Sequence, residues 1–291
     1  MKHREKKEVS RREFLKVAAI GVGAAFVSCD GTKAVGDPVV ETPKKIPVGV
    51  QLYSVRGEAQ KDLPKVLKAI GEMGYKGVEF AGYYGWEEKP KELRKLLDDN
   101  GLKCCGTHTG LNTLRDDALK TTAELNSILG NPYLIAPSLR AETEQDWMDL
   151  AMIFNELAVK ASELEMRVGY HAHAGDFKSL GESTPWEIFF DNTDKSVLMQ
   201  IDIGNCLDGG GDPVKMLKKY AGRSATVHVK EHGGPEGAVI GQGVVPWEEV
   251  LETVEAVGET NWFIVEHETG TNPMESIKGC LEGLRKFGRG L

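Results

Sequence analysis

The sequence predicts one (β/α)8 barrel, an α/β fold, from two patterns that run through residues 46–291. First, eight short apolar runs alternate with segments whose apolar residues recur at three- and four-residue spacing. Such an alternation is typical of buried parallel strands separated by amphipathic helices. Second, four runs end in a residue that can bind metal, and the carboxyl ends of barrel strands meet at one mouth. An open doubly wound sheet is the alternative, but the first strand lacks the glycine-rich turn that it usually carries.

The expected strands follow from the positions of the apolar runs. They are Val48–Tyr53, Gly77–Phe80, Leu102–Thr107, Tyr133–Ala136, Val168–His171, Val197–Ile203, Ala225–Val229 and Trp262–Glu266. Eight helices are expected between and after them, the longest from Trp147 to Leu164. Two helix starts are marked by a capping side chain before a proline, at Thr184-Pro185 and Asp212-Pro213.

The first 28 residues predict a signal peptide, because a charged start precedes a short apolar run from Val17 to Val27. The pair Arg11-Arg12 resembles the twin-arginine export signal, which carries proteins that are already folded. The apolar run is about half the length that spans a bilayer, so a stable transmembrane helix is not expected.

The stretch after this leader predicts a lipid anchor and a tether. Phe26-Val27-Ser28-Cys29 resembles a lipoprotein cleavage site with Cys29 as the lipidated residue, and cleavage nearby with an unmodified cysteine is the alternative. Residues 29–45 are rich in Gly, Pro, Thr and charge, which is typical of a flexible linker. We therefore expect an exported, periplasmic protein that contacts the membrane only through a lipid anchor.

The charge of the remaining chain excludes some partners. The leader holds seven Lys/Arg and three Asp/Glu, so the rest has 29 basic and 41 acidic residues, a net charge of −12. That charge repels a nucleic-acid backbone. Four cysteines remain, without a CxxC motif, and we expect each to be a small buried residue outside any disulfide. They are Cys104, Cys105, Cys206 and Cys280.

Four strand-like segments end in the side chains from which we predict a metal site. These side chains are His171, Asp202, His228 and Glu266. A charged or polar group at the end of a buried strand is costly unless it is paired or bound to metal. Two imidazoles and two carboxylates at one mouth would hold a divalent cation and leave positions open for substrate. His173 and Glu268 are the alternatives to His171 and Glu266 as ligands.

Other side chains near this site are candidates for proton transfer or substrate binding. Because side chains alternate along a strand, Lys230 shares a face with His228, and His173 shares one with His171. Lys230, His173 and Glu266 are therefore the candidate catalytic groups. The candidate substrate contacts are Glu79 and His108, with Tyr53, Trp247 and Gln51 as weaker ones. Each also has a structural alternative as a loop cap, a salt-bridge partner or a core residue.

The sequence resembles the sugar phosphate isomerase/epimerase family, whose members have a xylose-isomerase-like TIM barrel. The resemblance rests on Gly74-Tyr75-Lys76-Gly77-Val78-Glu79, Gly169-Tyr170-His171-Ala172-His173, Gln200-Ile201-Asp202-Ile203-Gly204-Asn205, His228-Val229-Lys230-Glu231 and Val265-Glu266. It implies a divalent metal that chelates two oxygens of a sugar or polyol. The metal it implies is most often Mn²⁺, and Zn²⁺, Co²⁺, Mg²⁺ or Fe²⁺ are the alternatives.

The resemblance also implies a chemistry. In epimerases of this family, two metal-bound glutamates on the fifth and eighth strands exchange a proton with a substrate carbon. Glu266 matches the eighth-strand position, whereas His171 stands at the fifth. The family also includes endonucleases for abasic DNA, which an acidic chain does not suit.

The expected function is therefore a metal-dependent sugar isomerase or epimerase that removes a proton beside the carbonyl of a sugar or keto-sugar. The first alternative is a lyase or dehydratase that cleaves a 3-keto-glycoside or keto-polyol by β-elimination. The second is a sugar-binding lipoprotein without activity. In each case the expected partner is a small carbohydrate.

Overall fold

Eight parallel strands form one sheet in the computed structural model, which describes residues 45–257 and 259–290. The strands are β1 Val48–Gln51, β2 Gly77–Phe80, β3 Lys103–His108, β4 Tyr133–Ala136, β5 Arg167–His171, β6 Leu198–Gln200, β7 Thr226–Val229 and β8 Trp262–Val265. Their order is β6-β5-β4-β3-β2-β1-β8-β7, so β1 pairs with both β2 and β8. A parallel bridge between Asp202 and His228 joins β6 to β7. The predicted (β/α)8 barrel is confirmed.

The strands are buried on both faces, which explains why their sequences are apolar runs. In β7, Val227 and Val229 pack into the hydrophobic core, and the alternate residues Thr226 and His228 are equally buried. Side chains of successive strand residues point to opposite faces of a sheet. The polar members of these runs therefore share the face opposite the valines, which in a closed barrel is the interior.

Helices follow the strands, with one departure from the predicted alternation. They are α1 Arg56–Met73, α2 Pro90–Asp99, α3 Asp116–Leu129, α4 Glu144–Ser162, α5 Pro185–Asp191, α6 Ile203–Asp208, α7 Pro213–Lys219, α8 Trp247–Val257 and α9 Pro273–Lys286. Two helices, α6 and α7, connect β6 to β7, so the prediction of one helix per connection is wrong there. Gly209-Gly210-Gly211 separates them, and Gly210 has a φ of 85°, which ends helical geometry.

Local hydrogen bonds fix where the elements begin and end. The predicted caps are confirmed: Thr184 accepts from Glu187 N (3.2 Å) and Asp212 accepts from Lys215 N (3.0 Å). Strand β1 ends two residues earlier than predicted, because Gln51 Oε1 accepts from Tyr53 N (3.1 Å) and begins a 3₁₀ turn, Leu52–Val55. Two further 3₁₀ turns, Leu111–Leu114 and Ala174–Phe177, follow β3 and β5.

Several predictions concern the leader, the tether, membrane spans and the cysteines. The leader (residues 1–28), Cys29 and residues 30–44 of the tether lie outside the described residues. Among the described helices, none is both long and apolar enough to cross a membrane. Cys104, Cys105, Cys206 and Cys280 are buried and free, as predicted.

Candidate metal centre

Four side chains from neighbouring strand ends meet at the mouth of the barrel. They are His171, Asp202, His228 and Glu266, and each offers a ligand atom within 4.8 Å of the others. All four are buried, with at most 5% of each residue exposed. The fold thus brings together the four residues predicted as ligands, and Glu268 and His173 lie outside this set. Two nitrogens and two oxygens are a donor set that suits Mn²⁺, Zn²⁺, Fe²⁺ or Co²⁺.

Asp202 gives the clearest sign that the cluster is built for a cation. Its Oδ1 accepts from Asn205 N (2.7 Å) and so caps α6, whereas its buried Oδ2 has no hydrogen-bond partner among the described residues. Burial raises the pKa of Asp202 to about 6, although Lys230 acts in the opposite direction. Near neutral pH an ionised oxygen is thus buried without a donor, which costs free energy unless a cation binds it. The residues present therefore fit a divalent metal.

His228 lies between two carboxylates. Its Nδ1 is 2.6 Å from Glu266 Oε2, and its Nε2 is 2.6 Å from Glu79 Oε2. Burial alone would lower the pKa of His228, but Glu79 and Glu266 raise it to about 10, so without metal both nitrogens carry a proton. Nδ1 also lies 3.8 Å from Asp202 Oδ2 and is therefore the nitrogen that faces the cluster. A metal would replace the Nδ1 proton, and Nε2 would still donate to Glu79.

Glu79 lies beneath this imidazole and is fully buried, although it was predicted to contact substrate. It accepts from Gln51 Nε2 (2.8 Å) and Gln200 Nε2 (2.7 Å), in addition to His228. Burial alone would raise its pKa, but His108 and His228 hold the pKa well below its usual range. A Cβ at position 106 would collide with the Glu79 carboxylate, so β3 has a glycine there. The recorded contacts are those of a carboxylate that orients His228.

Two further histidines flank the cluster. His108 Nε2 lies 2.9 Å from Gln200 Oε1 and 3.2 Å from Glu79 Oε2, and its ring centroid is 4.7 Å from that of His171. His173 packs edge-on against His171 with ring centroids 5.0 Å apart. Burial lowers the pKa of His173, so its imidazole is neutral near pH 7 and able to accept a proton.

Lys230 extends over the same mouth from the end of β7. Its Nζ donates to Asn205 Oδ1 (3.2 Å) and to the Glu268 carboxylate. Burial alone would lower the pKa of Lys230, but Asp202 and Glu266 raise it above its ordinary value. The side chain is thus a fixed positive charge that can donate a hydrogen bond to a substrate oxygen, and it is not a base.

The remaining predicted substrate contacts lie in different surroundings. Tyr53, in the turn after β1, is 41% exposed, and the Arg56 guanidinium lies 4.1 Å from its ring centroid. Trp247 is only 2% exposed, and its Nε1 donates to Glu231 Oε2 (2.8 Å) at the start of α8. Gln51 is fully buried. Of these three side chains, the structure leaves only that of Tyr53 accessible to a ligand.

The fold agrees with what comparisons with known proteins show. A family model described as "Xylose isomerase-like TIM barrel" matches residues 67–287. The chain belongs to this family. The sequence resemblance to xylose-isomerase-like barrels is thereby confirmed.

Relatives of this xylose isomerase-like barrel carry names from more than one reaction class. An inosose dehydratase of Histophilus somni (strain 129Pt) is 26% identical over 281 residues, which cover 77% of this chain and 92% of that protein. A solved sugar phosphate isomerase/epimerase from Parabacteroides distasonis ATCC 8503 superposes with a TM-score of 0.72 at 23% identity, covering 83% of this chain and 96% of that one. An L-ribulose 3-epimerase superposes with a TM-score of 0.64 at 16% identity, covering 83% and 94%. At these identities the two structures show the fold alone.

One residue at this site was not singled out from the sequence. Gln200 is fully buried beneath the cluster and contacts Glu79, His108 and His171. Its signal in the sequence was weak: an amide side chain that ends the apolar run Leu198-Met199-Gln200. A buried amide needs partners, and those partners lie on other strands.

Proposed function

We propose that this protein is a metal-dependent lyase or dehydratase that acts on a keto-sugar, keto-glycoside or keto-polyol by removing a proton beside the carbonyl and expelling a β-oxygen. His171, Asp202, His228 and Glu266 would hold the metal. When bound, a divalent cation polarises a carbonyl and so acidifies the neighbouring C–H bond. The observation that supports metal binding most directly is Oδ2 of Asp202, which is buried and has no hydrogen-bond partner in the described part of the chain.

The position of His171 favours elimination over epimerisation. Epimerases of the resembled type use one glutamate on each side of the substrate carbon, and here Glu266 is the only carboxylate of such a pair. His171 cannot replace the second glutamate as a base, because its Nδ1 faces Gln200 Oε1 (3.1 Å) and its other nitrogen faces the metal ligands. Elimination needs one base and one acid rather than two opposed bases. The name of the dehydratase relative agrees with this proposal.

The acid and base can be assigned from charge. His173, which burial keeps neutral, is the proposed base. Burial alone would raise the pKa of Glu266, but the hydrogen bond and charge of His228 outweigh burial and lower this pKa to about 2. The Glu266 carboxylate is therefore a weak base. Lys230, held protonated beside Asp202 and Glu266, would donate a hydrogen bond to the oxygen that leaves or to the oxygen that gains charge. The exposed Tyr53 would contact the sugar at the rim.

An isomerase or epimerase is the second candidate, because the same proton removal starts both reactions. His173 and His108 both lie beside His171, with ring centroids 5.0 and 4.7 Å from its ring. If both reach the substrate, they provide two sites for proton exchange.

One experiment separates these reactions. The full chain is reconstituted with Mn²⁺ or Zn²⁺ and incubated in D₂O with a keto-inositol and with a 3-keto-glucoside, and the products are followed by NMR. An unsaturated elimination product would support the proposal. Deuterium incorporation with interconversion of sugars and no elimination would favour the isomerase. Tight binding without either reaction would indicate a sugar-binding protein.

Variants test the assigned roles in the same assay. His173→Gln should lower kcat at least 100-fold and leave metal content unchanged, because general bases contribute roughly 10²–10⁴-fold. His228→Ala should lose both metal and activity while the fold is retained. Full activity of His228→Ala would contradict the proposed ligand set.

A further inference from the structure

Gln200 lies at the end of β6, and its side chain lies between the imidazole of His171 and the buried carboxylate of Glu79. Its amide nitrogen is 2.7 Å from Glu79 Oε1 and 2.9 Å from Thr226 Oγ1. Its carbonyl oxygen is 2.9 Å from His108 Nε2 and 3.1 Å from His171 Nδ1. One fully buried amide therefore joins a carboxylate, a hydroxyl and two imidazoles.

Glu79 determines which end of this amide faces which neighbours. The Glu79 carboxylate accepts hydrogen bonds from amide groups through both oxygens, from Gln51 Nε2 at Oε2 and from Gln200 at Oε1. The Gln200 atom beside it must therefore be the NH₂ group. The opposite end is then the carbonyl oxygen, which also can only accept. Each imidazole nitrogen that faces this oxygen must carry a proton.

This requirement decides which nitrogen of His171 carries a proton. The nitrogen that faces Gln200 Oε1 is Nδ1, at 3.1 Å, so Nδ1 must carry one. The other nitrogen, Nε2, lies 3.9 Å from Glu266 Oε2, on the side of the cluster. Nε2 is therefore the nitrogen whose lone pair is left for a cation.

We propose that Gln200 is a positioning residue that sets the tautomers of two histidines, so that His171 offers Nε2 to the metal and His108 carries its proton on Nε2. The proposal rests on the proposed metal site and adds how its ligands are oriented. His228 differs, because it faces the cluster with Nδ1 and donates Nε2–H to Glu79. The two histidine ligands thus bind through different nitrogens, each fixed from behind by a different buried side chain.

The direct test is ¹⁵N NMR of the full, metal-free chain labelled at histidine, with long-range couplings that report which ring nitrogen carries hydrogen. Single-histidine variants assign the signals of the seven histidines. We expect His171 to carry hydrogen on Nδ1 and His108 on Nε2. Metal affinity is measured separately by competition for Zn²⁺ with a chromophoric chelator.

Two variants of similar side-chain volume test the role of the Gln200 amide. Gln200→Leu removes the carbonyl oxygen together with the NH₂ group that donates to Glu79, and we expect a mixture of His171 tautomers and a Kd for Zn²⁺ raised by about 10- to 100-fold, as is common when outer-shell partners of a metal ligand are removed. Thr226→Val is the matched control, because it removes only the hydroxyl at the other end of the amide. Glu79 still orients the amide there, so the tautomers and the Kd should stay as in the wild type.

Several outcomes would overturn the proposal. Wild-type His171 protonated on Nε2 would do so without any variant, even if Gln200→Leu failed to fold. Gln200→Leu with the wild-type tautomer and Kd would do so as well. If the wild type has the expected tautomers but binds no Zn²⁺ or Mn²⁺, the proposed metal-dependent function fails, whereas the assignment of the tautomers by Gln200 stands.

Discussion

Replacing Asp202 by asparagine should stabilise the metal-free protein, although it removes a proposed ligand. Asn keeps the oxygen that accepts from Asn205 N, and Asp and Asn cap helices about equally well. The change removes the charge on the buried, unpartnered Oδ2. Burial raises the pKa of Asp202 from 3.8 to about 6, and that difference corresponds to a cost of about 3 kcal/mol at neutral pH. We expect Asp202→Asn to recover about 1–3 kcal/mol of it.

The stability that Asp202→Asn gains over the wild type should depend on pH. A carboxyl group whose pKa is raised by folding costs no stability below its unfolded pKa, here about 3.8. The cost grows as the pH rises through the folded value of about 6 and is complete above it. Asp202→Asn and the wild type should therefore be equally stable near pH 4 and diverge between about pH 4 and 6.

Urea unfolding of the metal-free proteins measures this difference as a shift in midpoint at constant slope. Asp212→Asn is the matched control, since Asp212 also caps a helix, α7, but is exposed, and its midpoint should not change. Added Zn²⁺ should raise the Tm of the wild type and of this control, but not that of Asp202→Asn. If Asp202→Asn is less stable than the metal-free wild type at neutral pH, the argument from the unpartnered oxygen is refuted.

Three further predictions concern His228, Trp247 and Cys29. Burial alone would lower the pKa of His228, but Glu79 and Glu266 raise it to about 10. Zn²⁺ binding near pH 8 should therefore release one proton, which calorimetry in buffers of different ionisation heat measures. The same imidazole should stabilise the metal-free protein fully below about pH 6.5 and progressively less up to about pH 10. Trp247→Phe loses the hydrogen bond to Glu231 and should reduce stability by about 1 kcal/mol with KM unchanged, whereas a raised KM would make the indole a substrate contact. The predicted export and lipidation are tested by Cys29→Ser, which should move the protein from the membrane to the soluble fraction, and a soluble wild type would contradict lipidation.

The fold was readable from the sequence because strands buried on both faces leave a strong signal. The apolar runs predicted all eight strands to within a few residues at either end. The errors have local causes, which the spacing of apolar residues does not reveal. The side chain of Gln51 ends β1 early by accepting from Tyr53 N, and three consecutive glycines divide the β6–β7 connection into two helices.

The cluster of candidate metal ligands was also predictable, because parallel strands end at a common mouth and one polar residue closes each of four runs. The contacts of Glu79 and Gln200 beneath this cluster were not predictable. Glu79 and Gln200 lie on β2 and β6, which are not neighbours in the sheet, and they meet only across the barrel interior. Alternation along a strand shows that a side chain points inward, but not which side chain from another strand it will meet. That information depends on strand tilt and stagger in the closed barrel.

The charges in this interior explain why a divalent ion suits the site. Glu79, Asp202 and Glu266 contribute three negative charges in buried positions, and Lys230 contributes one positive charge beside two of them. Without metal, the His228 imidazolium adds a second positive charge, which leaves one negative charge uncompensated among these five groups. A divalent cation that displaces the Nδ1 proton of His228 adds two charges and removes one, so the three carboxylates are then balanced. A monovalent cation that displaced the same proton would leave the net charge of these groups unchanged. One negative charge would stay uncompensated, and buried charges are stable only when they are paired.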